Sequence, residues 1–481
     1  MQAHRARSAM AGLLAAATSV AMLFAIARRS PWYDEYYTLY VTRPGLPLRE
    51  AWPMWLADNH PPLFYALAWA SNTLGVAAEP RRLLNLAIAL AVALALAALA
   101  ARRPRLRTTL FAYATGLAAS APLIDRVAEL RGNFLALAAG AIAVAALVAL
   151  VQPGRLSRRG ALALGATLAL AWSVHLAATV IVGALALAFA LRLWLAGDRT
   201  AALRFLAICA LAGVPFVASM GLQASTIAAN TRSFWIPGGL SAARWVIEGQ
   251  LLAALSANPA LTLAGSAGLV RLALQDMRAR RLSTDSATVA AFAGGLALAL
   301  ALLVAIHLMR PFVVDRYLVT LHPIVAMILA LGTARLARDM MRGRLLLDLC
   351  LVAAALLALA HNVPRTLARP GWDGTAARIA RIVARCPQTQ VIADLRWNAD
   401  VMALPPVENR AVVPWAYAQV AARHHFALSH SARRKGPCPT IYWAEHVAAR
   451  RASPAQVAAA IGVRSGRMER IGDGWIFIAQ P

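Results

Sequence analysis

The sequence predicts an all-α polytopic membrane domain followed by a small α/β domain outside the bilayer. Of its 481 residues, 60% are hydrophobic and only 14% are charged, whereas soluble domains have about 25% charged residues. Apolar stretches of about 20 residues, the length that crosses a hydrocarbon core, recur from the N-terminus to residue 361. Beyond that residue the composition becomes mixed polar and apolar. The bulk of this chain is therefore expected to lie in lipid.

The membrane domain is predicted over residues 1–363, with about eleven transmembrane helices. The apolar segments lie near residues 10–27, 82–101, 108–123, 134–151, 161–176, 177–195, 203–219, 252–274, 287–308, 317–334 and 345–361. The first segment follows Arg5 and Arg7, and no convincing small-residue cleavage site precedes Pro31. We interpret it as a retained signal anchor rather than a cleaved signal peptide.

The arginines indicate the orientation of these spans. The formal net charge is +27, and the basic residues are concentrated in alternate short loops, as the positive-inside rule expects of cytoplasmic loops. These loops cover residues 102–107, 155–159, 192–204, 278–281 and 335–344. We therefore expect a cytoplasmic N-terminus, a periplasmic C-terminal domain and a bacterial inner-membrane location. The partners expected of this charge are membrane lipids, not nucleic acid.

The first external loop, residues 28–81, is predicted to contain juxtamembrane helices. Residues 61–77 are apolar, but counting them as a span would place the basic loop at 102–107 outside. Aromatic residues such as Trp52 and Trp69 are typical of headgroup depth, which favours helices lying along the outer interface. The alternative is that residues 61–77 cross the membrane and another segment does not.

The C-terminal region, residues 364–481, reads as a separate α/β domain. An amphipathic helix is predicted over residues 374–386 and a second helix over 453–461. Strand-like segments follow the first helix, at 390–394, and close the chain, at 474–480. About 115 residues are enough to enclose a hydrophobic core.

Four cysteines divide into two pairs by their surroundings. Cys209 and Cys350 lie within apolar spans, where cysteine is usually a small buried residue. Cys386 and Cys438 lie in the C-terminal domain, in a compartment that permits disulfides. We predict a disulfide between Cys386 and Cys438; two unpaired thiols are the alternative.

Asp34 and Glu35 are the first candidate catalytic residues. They follow the first span directly and are framed by aromatic residues, in a chain with only 21 acidic residues. Sugar transfer to a hydroxyl needs a base for the acceptor proton, and adjacent carboxylates can supply one or hold a divalent metal. The alternative is that both residues merely cap a juxtamembrane helix. The same loop ends in a second polar group, Asp58-Asn59-His60.

Several short segments resemble the GT-C glycosyltransferases, in the bacterial branch that includes protein O-mannosyltransferase-like enzymes, lipid A aminoarabinose transferases and rhizobial lipopolysaccharide core transferases. These segments are Asp34-Glu35, the HPPLFY run from His60 to Tyr65, Arg81-Arg82-Leu83-Leu84-Asn85, Glu129-Leu130-Arg131, His175, Phe234-Trp235-Ile236-Pro237, Arg316-Tyr317-Leu318 with Pro323, and Gly371-Trp372-Asp373. The resemblance covers nearly the whole chain through short motifs, of which the first loop is the most specific. One departure is Asn133-Phe134, where the family often has a tyrosine near Arg131.

The resemblance implies the GT-C fold and an inverting transfer from a polyprenyl-phosphate sugar to a hydroxyl of an envelope acceptor. That acceptor is lipid A, another glycan or a protein. Asp34 matches the acidic residue thought to activate the acceptor in this family. The leaving group is a phosphate, so the site needs preorganised cations shielded from water.

Arg310 and Arg316 are the candidate phosphate ligands. They flank Pro311 to Asp315 on the external side, where the positive-inside rule does not favour arginine. The alternative is that Arg316 pairs with Asp315 or reaches to lipid headgroups. Tyr317 follows in the same motif and is a further candidate for substrate binding.

Four other residues are expected to bind the donor phosphate or the substrate: Asp58, His60, Glu129 and Arg131. Each has a structural alternative. Glu129 and Arg131 could form an ion pair with each other, and His60, which precedes two prolines, could simply start a helix. His175 could be a satisfied polar residue at the end of a span.

Two other classes of function stay open at this stage. A transporter or lipid flippase would show paired broken helices and ionisable residues near the membrane midplane, whereas the polar residues here gather at one surface. A noncatalytic envelope assembly protein is the other alternative.

Asp34 and Glu35 could together bind a divalent metal, but no cluster of histidine and aspartate residues has the spacing of metal ligands. We predict no obligatory cofactor.

Overall fold

The computed structural model describes residues 2–152, 157–230, 236–340, 343–398, 408–430, 437–445, 452–463 and 465–479. Within these residues, sixteen α-helices form the membrane domain and the loops between its spans. In chain order they are α1 (Gln2–Arg28), α2 (Tyr33–Val41), α3 (Leu48–Leu56), α4 (Leu63–Ala70), α5 (Ala78–Arg102), α6 (Arg107–Ala119), α7 (Ala121–Val127), α8 (Gly132–Leu150), α9 (Arg158–Trp172), α10 (Leu176–Leu195), α11 (Arg199–Asn230), α12 (Leu240–Ser256), α13 (Pro259–Ala279), α14 (Thr284–Met309), α15 (Leu321–Asp339) and α16 (Arg344–Leu367). Helices predominate because lipid leaves backbone groups no water to bind.

The long apolar helices confirm the prediction of a multi-pass membrane protein. Eight described helices are long and apolar enough to cross a bilayer: α1, α5, α8, α10, α11, α14, α15 and α16. Helices α12 and α13 together pass the same test but meet at 92°. The remaining predicted spans correspond to two shorter helices, α6 and α9, of 13 and 15 residues. The apolar segment predicted over 252–274 contains this bend.

The bend between α12 and α13 sets the course of the chain near the site. Asn258 caps α13 and accepts a hydrogen bond from the backbone N–H of Leu261 at 3.1 Å. Helix α13 then packs closely along α15, where Gly265 and Gly268 face Gly332. Small residues allow such a close approach of two helices in lipid. The perpendicular α12 is left beside the loop that precedes α15.

The loop between α1 and α5 contains the predicted juxtamembrane helices. Helices α2, α3 and α4 are 9, 9 and 8 residues long, too short to cross a hydrocarbon core of about 30 Å. Hydrogen bonds from two tryptophans hold them together: the buried Trp55 donates from Nε1 to the carbonyl of Val41 at 2.8 Å, and the half-buried Trp69 donates from Nε1 to that of Leu46 at 2.9 Å. The indoles thus fix the path of the loop that carries the candidate acids.

The C-terminal region is the predicted small α/β domain. It contains three described helices and four strands, which are α17 (Asp373–Arg385), β1 (Gln390–Ala393), α18 (Glu408–Arg423), β2 (Thr440–Ala444), α19 (Pro454–Ile461), β3 (Gly466–Ile471) and β4 (Gly474–Ala479). The sheet order is β1-β2-β4-β3, parallel between β1 and β2 and antiparallel elsewhere. Cys386 and Cys438 form a disulfide with their Cα atoms 5.7 Å apart. Helix α16 continues to Leu367, past the boundary predicted at 363.

Aromatic side chains join the sheet domain to α2. Trp372 lies 5.2 Å from the ring of Tyr36 and 5.0 Å from that of Tyr417, and Trp415 lies 5.6 Å from Tyr40. The backbone N–H of Trp372 donates to the carbonyl of Pro31 at 3.0 Å. The sheet domain therefore sits against the helix that begins with the candidate acids.

Candidate active site

The candidate site lies where four segments meet: the start of α2, the loop between α3 and α4, the residue before α8 and the loop before α15. Each segment contributes charged or aromatic side chains. The residues brought together are Asp34, Asp58, His60, Arg131, Arg316 and Tyr317. Two carboxylates and two guanidinium groups therefore share one partly buried cluster.

Asp34 lies in the first turn of α2 and faces both arginines. Its Oδ2 atom is 3.2 Å from Nη1 of Arg316 and 4.0 Å from Nε of Arg131. The helical period places Thr38 on the same face, and Arg131 Nη1 donates to its hydroxyl at 3.4 Å. The N-cap Trp32 makes no side-chain capping hydrogen bond. Asp34 thus contacts side chains that are distant in sequence.

Asp58 is held as a carboxylate by its neighbours. Its Oδ2 atom is 3.2 Å from Nδ1 of His60, accepts a hydrogen bond from the Tyr65 hydroxyl and lies 3.9 Å from Arg131. Burial alone would raise the pKa of Asp58, but the charge and hydrogen bond of His60, followed by Arg131 and Tyr65, lower it well below its usual value. Asp58 therefore orients His60 as a hydrogen-bond acceptor.

Two histidines and a tyrosine form the aromatic wall of the site. The ring of His60 is 5.1 Å from His175 and 5.7 Å from Tyr317, and His175 is 4.6 Å from Tyr317. His175 is the N-cap of α10, and its Nδ1 accepts the backbone N–H of Ala177 at 3.2 Å. Burial, then the charges of neighbouring His60 and Arg131, lowers the pKa of His175 well below its usual value. A neutral imidazole with Nδ1 accepting carries its proton on Nε2.

Arg316 is packed between aromatic faces. Its guanidinium carbon is 5.2 Å from the ring centre of Trp32 and 5.6 Å from that of Tyr317. Asp315, the sequence neighbour considered as its partner, lies instead 3.6 Å from Arg126. Stacking and the pair with Asp34 fix the planar fork, which is the geometry that binds phosphate oxygens in a bidentate way.

Glu35, predicted as catalytic with Asp34, faces a different part of the molecule. It is completely buried and forms a two-pronged ion pair with Arg82, at 2.8 and 2.7 Å. It also accepts the backbone N–H of Leu130 at 2.8 Å. Successive helical residues point about 100° apart, so Asp34 and Glu35 do not converge on one ligand. A metal ion bound by both would have to displace Arg82.

Glu129 also lies outside the cluster. Its carboxylate pairs with Arg29 at 2.8 Å and with Arg126 at 2.8 and 3.0 Å, and it is buried. Neither contact is the ion pair with Arg131 that the sequence suggested. These contacts, together with Asn85 donating to the carbonyl of Glu129 at 2.6 Å, tie α1, α5 and α7 together beneath the site.

Arg310 occupies the rim. It is exposed, and its Nη1 atom donates to the carbonyl of Ala228 at 3.3 Å. Its guanidinium is therefore directed toward the end of α11 rather than toward Asp34. Phe234 and Trp235 of the aromatic-proline motif lie outside the described residues.

Several contributors to the site were not singled out from the sequence. Tyr65 bridges the cluster because its hydroxyl contacts Asp58 and accepts from Arg131 Nη1 at 2.8 Å. Gln223, in the apolar α11, donates to carbonyls of the loop after α3. Gln223 lies four residues past the end of the span predicted over residues 203–219, so that prediction did not mark it. Among the described residues no group of three or more histidine, cysteine or acidic side chains has the geometry of a metal site.

An apolar groove of about 640 Å³ lies between α12 and α14. It is lined by Leu240, Arg244, Ile247, Glu248, Leu300, Ala301, Val304, Ala305 and Leu308. Leu308, at one end of this lining, lies two residues before Arg310, the C-cap of α14. Arg244 and Glu248 form an exposed pair at 2.6 Å along its edge.

The cluster has the groups that a substitution reaction with an anionic leaving group needs. Arg131 and Arg316 can stabilise a developing anion, Asp34 can accept a proton, and Asp58 with Tyr65 fixes Arg131 and His60. The sheet domain packs against α2, the helix that carries Asp34.

Comparison with known proteins gives a structural likeness and no sequence match. The sequence matches no protein-family model and no curated protein. The crystal structure of ArnT from Cupriavidus metallidurans bound to undecaprenyl phosphate is similar to this chain, with a TM-score of 0.57 and 13% identity over 98% of this chain and 99% of that one. The apo structure of the same protein gives a TM-score of 0.54 and 13% identity over 98% of each chain.

Proposed function

Because this chain has the GT-C fold, we propose that it is an inverting glycosyltransferase that moves a sugar from a polyprenyl-phosphate donor to a hydroxyl of an envelope acceptor. The observation that carries the proposal is the pair of arginines, Arg131 and Arg316, facing Asp34; a separate apolar groove lies between α12 and α14. The similar ArnT was crystallised with undecaprenyl phosphate. A polyprenyl phosphate needs both a cationic and an apolar surface, and these two features supply them.

In the proposed reaction the acceptor oxygen bonds to C1 of the sugar while the bond from C1 to the phosphate oxygen breaks. The electron pair leaves on the phosphate, whose charge Arg316 and Arg131 neutralise. The acceptor proton passes to the carboxylate of Asp34. Attack on the face opposite the leaving group inverts the configuration at C1. Tyr317, His60 and His175 surround the position of the sugar.

Three residues predicted for the site have supporting roles in this proposal. Glu35 and Glu129 are positioning residues, because their carboxylates hold arginines of the framework. Arg310 attracts the anionic donor to the rim, where it is exposed. No metal is required for the step, since two arginines already face the leaving phosphate. If a chelator abolished transfer and a divalent ion then restored it, this part of the proposal would be wrong.

The apolar groove is proposed to hold the first isoprene units of the donor. Its volume of about 640 Å³ is that of a ligand-sized cleft, and its apolar lining suits a hydrocarbon chain. The alternating basic loops favour a site on the periplasmic side of the inner membrane. The acceptor would then approach from the side of the sheet domain.

The proposed function is tested by following a radiolabelled sugar. Membranes with and without the protein receive undecaprenyl-phosphate-linked hexoses and pentoses, and label is traced into lipid, glycan and protein fractions. Transfer that needs the protein and is lost in Asp34→Asn supports the proposal. Movement of the intact donor across the bilayer without release of undecaprenyl phosphate would indicate a transporter. Absence of both would indicate an assembly protein.

A further inference from the structure

Gln223 lies on α11, beyond the end of the membrane span that the sequence predicts over residues 203–219. Helix α11 has 32 residues, about 48 Å at 1.5 Å per residue, which exceeds a hydrocarbon core of about 30 Å. From Pro215 to its end, the buried residues of α11 are Gln223 and Asn230. They are seven residues apart and so share one face of the helix. The two residues of the outer half of α11 that are buried are thus both amides, while the partly buried Phe216 also packs against the core.

Both amides contact the backbone of the loop that carries Asp58 and His60. Gln223 Nε2 donates to the carbonyls of Asp58 and His60, each at 3.0 Å, and lies 3.4 Å from that of Trp55. Asn230 Nδ2 donates to the carbonyl of Ala57 at 3.2 Å. Three carbonyl oxygens face the same end of the Gln223 amide, so that end must be the NH₂ group.

The loop between α3 and α4 has little regular structure of its own to fix these side chains. Residues 57–62 form no helix or strand, and the carbonyls that Gln223 binds are not used in helical hydrogen bonds. An unpaired carbonyl and an unpaired amide would both be costly at the edge of the bilayer. Their mutual pairing holds the loop and α11 in one arrangement.

We infer that Gln223 is a positioning residue that holds the Asp58–His60 loop in register with Asp34 and the arginines. It acts through the two carbonyls and not through contact with substrate. Loss of its donors would let His60 and Asp58 shift, and Arg131 would lose a fixed partner. A displacement of about 1 Å at a reacting centre can cost ~10²-fold in rate. The activity arm of the following test rests on the proposed function.

The test compares Gln223→Leu with Gln250→Leu in the purified full chain. Gln250 is a matched control, because it is another amide of the membrane domain but binds His322 at 3.1 Å. Amide hydrogen exchange is measured over residues 55–62, and transfer from an undecaprenyl-phosphate sugar is measured in parallel. We expect faster exchange of this segment only in Gln223→Leu, and a fall in kcat of about 10–10²-fold with the Kd for undecaprenyl phosphate unchanged. Asn230→Leu is a second variant, should Gln223→Leu fail to fold.

A double-mutant cycle separates positioning from a general loss of structure. In a His60→Asn background with residual activity, Gln223→Leu should cost less than it does alone, since coupled residues are non-additive. Unchanged exchange over residues 55–62, unchanged kcat, or fully additive effects would each overturn the inference. If the wild-type chain transfers no sugar, the proposed function fails, and the exchange measurement alone then decides whether Gln223 holds the loop.

Discussion

Asp34 Oδ2 lies 3.2 Å from Nη1 of Arg316, although 282 residues separate them in the chain. The proposed base thus pairs with the proposed phosphate ligand. A donor phosphate that binds Arg316 competes with Asp34 and would release its carboxylate toward the acceptor. In the proposed mechanism, this ion pair would couple occupancy of the donor site to the availability of the base.

Asp34→Asn should strongly reduce transfer without weakening donor binding. The amide keeps the size of the side chain but cannot accept the acceptor proton, so we expect turnover to fall by about 10²–10⁴-fold. Removing the negative charge beside Arg316 should leave the Kd for undecaprenyl phosphate unchanged or lower. Asp315→Asn is the control, because Asp315 faces Arg126 instead. Near-normal turnover of well-folded Asp34→Asn would move the search for the base to Asp58.

Arg316→Ala should impair both donor binding and turnover. Phosphate charge is present in the ground state and grows in the transition state, so KM should rise and kcat should fall together. Arg310→Ala should have a smaller effect on both, because Arg310 is exposed at the rim. Steady-state kinetics with varied undecaprenyl-phosphate sugar measure the two effects. Equal losses in the two variants would argue against a direct phosphate contact by Arg316.

Glu35→Gln should act mainly on stability. The change leaves Arg82 buried without its charged partner, and breaking a buried ion pair costs about 3–5 kcal/mol. We expect a lower melting temperature in detergent, partly restored in the double variant Glu35→Gln/Arg82→Met. Transfer activity should recover in the double variant together with the melting temperature. A stable but inactive Glu35→Gln would instead indicate a direct catalytic role.

Filling the groove between α12 and α14 should distinguish donors by chain length. Val304 lines this groove, so Val304→Trp should raise KM for an undecaprenyl-phosphate sugar more than for a short-chain analogue. Leu298→Trp is the control, since Leu298 lies on α14 outside the groove and is exposed. The same KM increase for both chain lengths would place the isoprenoid elsewhere.

The sheet domain should lose stability as the pH rises. Burial raises the pKa of Glu445 from 4.5 to about 8, so the folded state holds this proton more tightly than the unfolded state. Its contribution is fully present below pH 4.5 and is lost as the pH rises to about 8. Glu445→Gln should flatten the decline in melting temperature between pH 5 and 8. Glu469→Gln, whose carboxylate pairs with Arg378 at 2.7 Å, should not.

The predicted organisation of the chain needed only composition and periodicity. Lipid excludes water from backbone groups, so long apolar segments become helices whatever their neighbours, and the shift to amphipathic and alternating patterns after residue 361 marks the sheet domain. The short helices of the first loop were readable because its aromatic residues match the interface. Asp34 and Arg316 could also be identified from the sequence, because acidic residues are scarce in this chain and arginine is not favoured on the external side.

The partners of those charges were decided by tertiary structure alone. Asp34 and Glu35 are adjacent in sequence, but they point to different sides of α2, one to Arg316 and the other to Arg82. Which side faces the site depends on how the helix is rotated against α5, α8 and the sheet domain. Gln223 meets the His60 carbonyl across 163 residues. Composition and periodicity are enough to identify the segments that enter lipid and the positions of unusual charge. Helix packing establishes which of those charges meet, because contacts between distant segments leave no local periodicity.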